Sequence, residues 1–316
     1  MLDHARTASP RRALMLMARA APLLMAMAAP ACATEATPAA AAGRQSAFDA
    51  APGATSSAPA PAGPSAPVTA GGADTAADAS AATGPWPPAP PGGVTTDWCI
   101  DLVTPLDADC CYVLPERPTR DLLVYLHGVV PPGRDSRQKT NFESVVANAS
   151  RRAGVAAIMP RGWNDVAPKR IAKWWAWPTN PGTFRQRTPT FVARVAELRG
   201  RLEALTGARF ERVWVAGSSS GAYYAAALAL HGALPADGYG AMSGGSGGPT
   251  PELAGLPPRP FYVGFGRGDN VGPKARALGD ALRAAKWPVQ VAEHDVPHGA
   301  REVYLDEAFA FWRAAR

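Results

Sequence analysis

From residue 98 onward, apolar runs of strand length alternate with stretches of helical periodicity. Leu122-Leu123-Val124-Tyr125-Leu126 is continuously apolar, as a strand buried on both faces requires. Val155–Met159, Arg212–Ala216, Tyr239–Ser243, Pro260–Phe265 and Val289–Glu293 read the same way. Between them Asn141–Ser150, Val271–Lys286 and Glu302–Arg313 read as helices. Thr190–Thr206 reads as a longer one, with Phe191, Val195, Leu198, Leu202 and Leu205 on one stripe. This rhythm predicts an α/β fold with a mostly parallel, doubly wound sheet covered on both faces. Ahead of it, Trp98–Val103 and Cys111–Leu114 read as an antiparallel strand pair joined by an Asp-rich turn.

Before residue 98 the pattern disappears. Residues 34–95 are mostly Ala, Pro, Gly, Ser and Thr, which bury no core, so a disordered tether is expected there. Residues 1–33 carry Arg6, Arg11, Arg12 and Arg19, then an apolar segment, then Pro30-Ala31-Cys32-Ala33, the shape of an export signal. Its apolar core is too short for a permanent membrane anchor. Two processing routes stay open: cleavage after Ala31 or Ala33, or cleavage before Cys32 with a lipid on its sulfur. The second resembles a bacterial lipoprotein signal, although Ala29 stands where that pattern takes Leu, and it would tether the protein to a membrane. The expected organisation is signal 1–33, tether 34–95 and one catalytic domain 96–316, exported to the periplasm, the cell envelope or the medium.

Charge and cysteines refine this picture. Lys and Arg number 32 against 26 Asp and Glu, a net charge of +6. The basic residues are diffuse, with no block or aromatic-interleaved stripe, which argues against a nucleic-acid partner. In an exported chain, Cys99 is expected to bridge to Cys110 or Cys111, the alternative being three buried free thiols.

The candidate chemistry centres on Arg212–Leu230, a β-branched and aromatic run leading through Gly217-Ser218-Ser219-Ser220-Gly221 into an alanine-rich segment. A strand turning this sharply into a helix needs glycine on both sides of the apex, and the G-x-S-x-G pattern puts Ser219 there. A second glycine-serine run, Gly244–Gly248, is followed by Pro249 and Pro251 and starts no such helix, so Ser246 is a decoy. In a parallel sheet, reactive groups gather beyond the carboxyl ends of the strands. The polar residues standing there are His127-Gly128, Ser219, Asp269 and His298.

With these four motifs in this order, residues 98–316 resemble the α/β-hydrolase superfamily. In compact form they are similar to its secreted polyhydroxybutyrate-depolymerase and feruloyl-esterase group or its phospholipase/carboxylesterase group. The resemblance implies a triad of Ser219, Asp269 and His298, an oxyanion hole of the Val129 and Ser220 backbone N–H groups, and no metal or cofactor. It places His127-Gly128 in the oxyanion loop beside the substrate. His294 is the competing base, His231 should point away from the site, and His4 belongs to the signal. Trp163, Trp174, Trp175 and Trp177 crowd one insertion. They read either as a pocket for the acyl or aryl group, with Trp174, Trp175 and Trp177 touching substrate, or as a satellite core. Only Ser246–Arg259 separates two late strands, so no large lid is expected. The resulting expectation is an exported serine hydrolase of small-molecule or polymeric carboxylic esters. The alternatives are a peptidase or polyester depolymerase with the same triad, and an inactive hydrolase-fold binding module.

Overall fold

The computed structural model of the chain describes residues 85–87, 94–133, 136–245 and 255–315. The expected export signal, Cys32, nearly all of the tether and Ser246 lie outside these residues. The described residues carry eight strands: β1 (Thr104–Asp107), β2 (Cys110–Val113), β3 (Asp121–Leu126), β4 (Ala156–Pro160), β5 (Arg212–Ser218), β6 (Gly238–Met242), β7 (Phe261–Gly266) and β8 (Val289–His294). They form one sheet in the order β1-β2-β4-β3-β5-β6-β7-β8. All pairs from β4 to β8 along this order are parallel, whereas β1 with β2 and β2 with β4 are antiparallel.

The pleat sends alternate side chains to two cores. Leu122, Val124 and Leu126 of β3 pack with α2 (Pro181–Thr206), α3 (Ser220–Leu230) and α4 (Gly272–Ala284). Leu123 and Tyr125 pack on the opposite face with α1 (Arg137–Ala153) and α5 (Glu302–Ala314). Each strand of this centre therefore lies between apolar layers, which is why it reads as a continuous apolar run. The chain steps from β3 outward to β4, then crosses back to β5 on the other side of β3. The carboxyl ends of β3 and β5 flank the point where the winding reverses, the place where such sheets bind ligands. Among the described residues, no helix is long and apolar enough to cross a membrane, and no lid domain interrupts the strand order.

Two expectations need correction. Trp98–Val103 is a turn-rich loop and not a strand; the first strand is β1. Its apolar residues fill a core rather than a pleat: Trp98 and Cys99 are buried, and Val103 N–H closes a turn onto Ile100 O at 3.2 Å. Helix α2 begins at Pro181, well before Thr190. Asn180 caps it by accepting from Thr183 N–H at 3.0 Å, and Pro181 suits the first turn, where no N–H is needed. The helix runs through Pro189, the residue whose missing N–H made a later start the natural reading.

The disulfide joins Cys99 to Cys111, leaving Cys110 as a buried free thiol. The pleat of β2 decides between the neighbours. Cys111 faces the core that holds Trp98 and Cys99, and Cys110 faces the other.

Beside this disulfide, Glu143 of α1 is fully buried, its carboxylate accepting from Ile100 N–H at 3.2 Å and approaching Cys111 Sγ at 3.4 Å. Burial pushes its carboxyl up to about 8. The unfolded carboxyl titrates near ~4.3, so Glu143 stabilises the fold fully below that pH and loses the contribution as pH rises toward 8. His127 acts in the opposite sense, because burial lowers its imidazole to about 4. Its contribution is full above ~6.5 and is lost as pH falls. The two slopes offset each other at mildly acid pH, and only that of Glu143 remains from neutrality to pH 8. Thermal melts over that interval should show the wild-type midpoint falling by a few degrees, given about 2–4 °C per kcal/mol for a domain of this size. Glu143→Gln should flatten the slope; a variant as steep as the wild type would contradict the assignment.

Candidate active site

Strand β5 ends at Ser218 and α3 begins at Ser220, so Ser219 alone makes the turn, at φ 51° and ψ −116°. That backbone conformation costs a residue with a Cβ on the order of 1–3 kcal/mol and persists only where the surroundings hold it. Ser219 N–H donates to Met242 O at 2.9 Å, and Ser219 O accepts from Ala222 N–H at 3.0 Å. The flanking glycines are sterically required. A Cβ on Gly221 would lie 2.0 Å from Leu126 O, and one on Gly217 would lie 2.6 Å from both Leu126 O and the Gly221 carbonyl carbon. Although Ser219 is the N-cap residue of α3, its side chain makes no capping bond, so the hydroxyl is available.

Two loops carry the acid and the imidazole. After β7, Arg267 N–H donates to His294 O at 2.7 Å, which ties the loop beyond β7 to the end of β8. Asp269, with its side chain 1% exposed, then accepts from Val271 N–H through Oδ1 (3.1 Å) and meets His298 Nδ1 through Oδ2 (2.8 Å). A carboxylate only accepts, so Nδ1 carries the hydrogen of this bond, and in the neutral ring the lone pair is then at Nε2. The His298 side chain is 45% exposed and lines one cleft with Ser219, Gly128 and Val129.

Ser243, which no sequence signal marks, stands between the two halves of this arrangement. It is fully buried just past β6 at φ 50°, and its N–H donates to Gly264 O at 2.7 Å. Its Oγ accepts from Gly299 N–H and donates to Gly299 O, each at 3.2 Å. The end of β6 thus grips both the elbow, through Met242 O, and the residue after His298.

The Val129 and Ser220 N–H groups donate to no acceptor among the described residues, and both residues border Ser219 in a second cleft. His127 does not stand where the sequence reading put it. Its ring is fully buried and reaches no substrate position; Nδ1–H donates to Gly128 O at 2.5 Å, and Nε2 accepts from Gly162 N–H at 2.9 Å. The ring organises the loop from beneath. Gly128 does reach the cleft, where a Cβ would sit 3.4 Å from Ser219 Cβ.

The tryptophan-rich insertion divides between the two readings. Trp177 lines the second cleft, stacks on Tyr224 at 5.5 Å and donates Nε1–H to His127 O at 2.9 Å. Trp174 and Trp175 line neither cleft at Ser219. Trp175 packs against Trp98 and beneath the Arg161 guanidinium, while its backbone pairs with Val130 in both directions at 2.8 and 2.9 Å. Trp163 meets Trp177 edge-on at 5.8 Å. The insertion is therefore mainly a satellite core that pins the loop of Gly128–Val130.

Of the other histidines, His294 turns to Glu307 (3.2 Å) and Tyr304 of α5, and His231 packs on Phe184 at the far end of α3. Among the described residues, no three His, Cys, Asp or Glu side chains are grouped to hold a metal ion.

No protein-family model and no curated protein matches the sequence. Solved structures do match in shape. YahD, solved with malic acid, aligns with a TM-score of 0.50 at 14% identity, over 66% of this chain and 99% of that one. Esterase PE8 aligns with a TM-score of 0.48 at 19% identity, over 65% and 97%. Arabidopsis thaliana SOBER1 aligns with a TM-score of 0.48 at 15% identity, over 62% and 99%. With the strand order, the winding reversal beside the serine elbow and the overlap with YahD, the chain has the α/β-hydrolase fold.

Proposed function

We propose that the protein is an exported serine hydrolase of carboxylic esters, with Ser219 as nucleophile, His298 as general base and acid, and Asp269 as the group that holds the imidazole. The observation that carries this reading is the strained elbow. It offers an uncapped Ser219 hydroxyl to the cleft that His298 lines, while His298 is fixed from behind by a buried carboxylate.

His298 Nε2 takes the Ser219 proton as Oγ bonds to the acyl carbon, and the carbonyl pair moves onto oxygen. The Val129 and Ser220 N–H groups, unused by other acceptors among the described residues, hold that oxyanion at the positive end of α3. Collapse breaks the bond to the leaving oxygen, which departs with the proton from His298. Water then repeats the sequence on the acyl-enzyme.

The test is hydrolysis of a panel of carboxylic esters beside peptide amides of matched acyl groups. Turnover of esters with little cleavage of amides is the expected result, and amide cleavage at comparable rates would favour a peptidase.

Ser243 serves this chemistry as a positioning residue, because its two bonds to Gly299 set where the His298 ring stands. Ser243→Ala should lower kcat by about tenfold to a hundredfold, the scale on which a small misplacement of a catalytic group acts, with KM little changed. A drop in melting temperature with kcat intact would show a purely structural role.

A further inference from the structure

Two clefts meet at Ser219 and Val129 and differ in the other residues that line them. One, of about 350 Å³, is walled by Val166, Pro168, Ala176, Trp177 and Tyr223, with Thr179 as its one further polar side chain beside the serines. Its Val129 and Ser220 N–H groups are the donors proposed for the oxyanion, and those of Trp177 are engaged: Trp177 N–H donates to Ser220 Oγ at 3.0 Å and the Trp177 indole N–H to His127 O at 2.9 Å. The other, of about 280 Å³, is lined by His298, Phe142 and the amide side chains of Gln138 and Asn141. Three residues apart on α1, these amides share one side of the helix. The Asn141 amide has no hydrogen-bond partner among the described residues, and Gln138 Oε1 meets only Ser136 Oγ, at 3.4 Å.

Reaction chemistry assigns the two clefts. The proton that His298 takes from Ser219 is delivered to the leaving oxygen, so the alcohol departs through the cleft that His298 lines. The acyl group remains bonded to Ser219 and occupies the cleft that His298 does not reach. We infer that the substrate joins a compact apolar acyl group, held against Val166 and Tyr223, to a hydroxylated alcohol that hydrogen-bonds Gln138 and Asn141. This rests on the assignment of Ser219 as nucleophile. It goes further by fixing which half of the ester is polar. Gln138 and Asn141 are exposed, so bonds to a hydroxylated alcohol replace bonds to water, and the discrimination is that of net hydrogen bonding, about 0.5–1.5 kcal/mol per bond.

The experiment compares kcat/KM for glycerol monobutyrate and butyl butyrate, and for glycerol monoesters of increasing acyl length. The wild type should favour the glycerol ester over the butyl ester by roughly tenfold or more, the factor carried by about 1.4 kcal/mol of hydrogen bonding. Asn141→Leu should collapse that ratio toward one with the acyl-length profile unchanged. Val166→Phe, which narrows the other cleft, should shift the profile to shorter acyl groups and leave the alcohol ratio in place. No preference for the glycerol ester, or exchanged effects of the two variants, would overturn the assignment. Labelling each protein with a fluorophosphonate separates the two levels. An unlabelled wild type would sink the nucleophile itself, whereas a labelled enzyme with the opposite alcohol preference would sink only the substrate inference.

Discussion

Replacing Ser219 with alanine should lower kcat on a simple carboxylic ester by about 10⁶-fold, the scale of losing the nucleophile in a serine hydrolase. The melting temperature should change little, since the Ser219 side chain caps nothing and the turn is held by backbone bonds to Met242 and Ala222 that alanine retains. His298→Ala should cost about as much. The double variant should then be hardly worse than either single one, because the two groups act on one proton and their losses do not add. Initial rates for the three variants under saturating ester check this. Additive losses, or substantial turnover by Ser219→Ala, would place the chemistry elsewhere.

The second large effect belongs to Asp269→Asn, expected to lower kcat by up to about 10⁴-fold near neutral pH. Asparagine can keep its Oδ1 on Val271 N–H, so the loop after β7 should hold its shape. The amide NH₂ would then face His298 where Oδ2 now accepts at 2.8 Å, and it would make the imidazole present a lone pair at Nδ1. The hydrogen moves to Nε2, where it can no longer receive the Ser219 proton. Restoration of much of the rate at alkaline pH, where hydroxide can substitute for the base, would be consistent with this. A variant that loses rate and melts far earlier would instead point to a folding role for this buried carboxylate.

The elbow was legible because its requirements are local. Two glycines and a serine between a β-branched run and an alanine-rich helix leave few alternatives, and the structure shows why: no Cβ fits at Gly217 or Gly221. Asp269 and His298 were legible from a rule about strand ends together with the family resemblance, which chose His298 over the strand-end His294, and the structure brings the two side chains into contact. What sequence could not supply depends on which face a residue turns to. Cys110 and Cys111 are adjacent, and only the pleat of β2 selects one for the disulfide. His127 carries the expected motif, yet its ring points into the core and leaves the cleft to Gly128. Trp98–Val103 has strand composition, but a disulfide and a buried carboxylate organise it as a loop. The start of α2 was within reach, since Asn180-Pro181 is a recognisable cap followed by a first-turn proline; Pro189 obscured it. Ser243 gave no signal, because a positive φ at a serine is fixed by tertiary contacts with Gly264 and Gly299.

The central claim is that one serine, at the turn between β5 and α3, is the reacting atom. Treating the full-length protein with a fluorophosphonate and mapping the adduct by peptide mass spectrometry tests it most directly. A single adduct on Ser219 is expected, absent from Ser219→Ala and slowed in His298→Ala. An adduct on Ser246, or on Ser218 or Ser220 beside the apex, or no adduct on the folded protein, would contradict it.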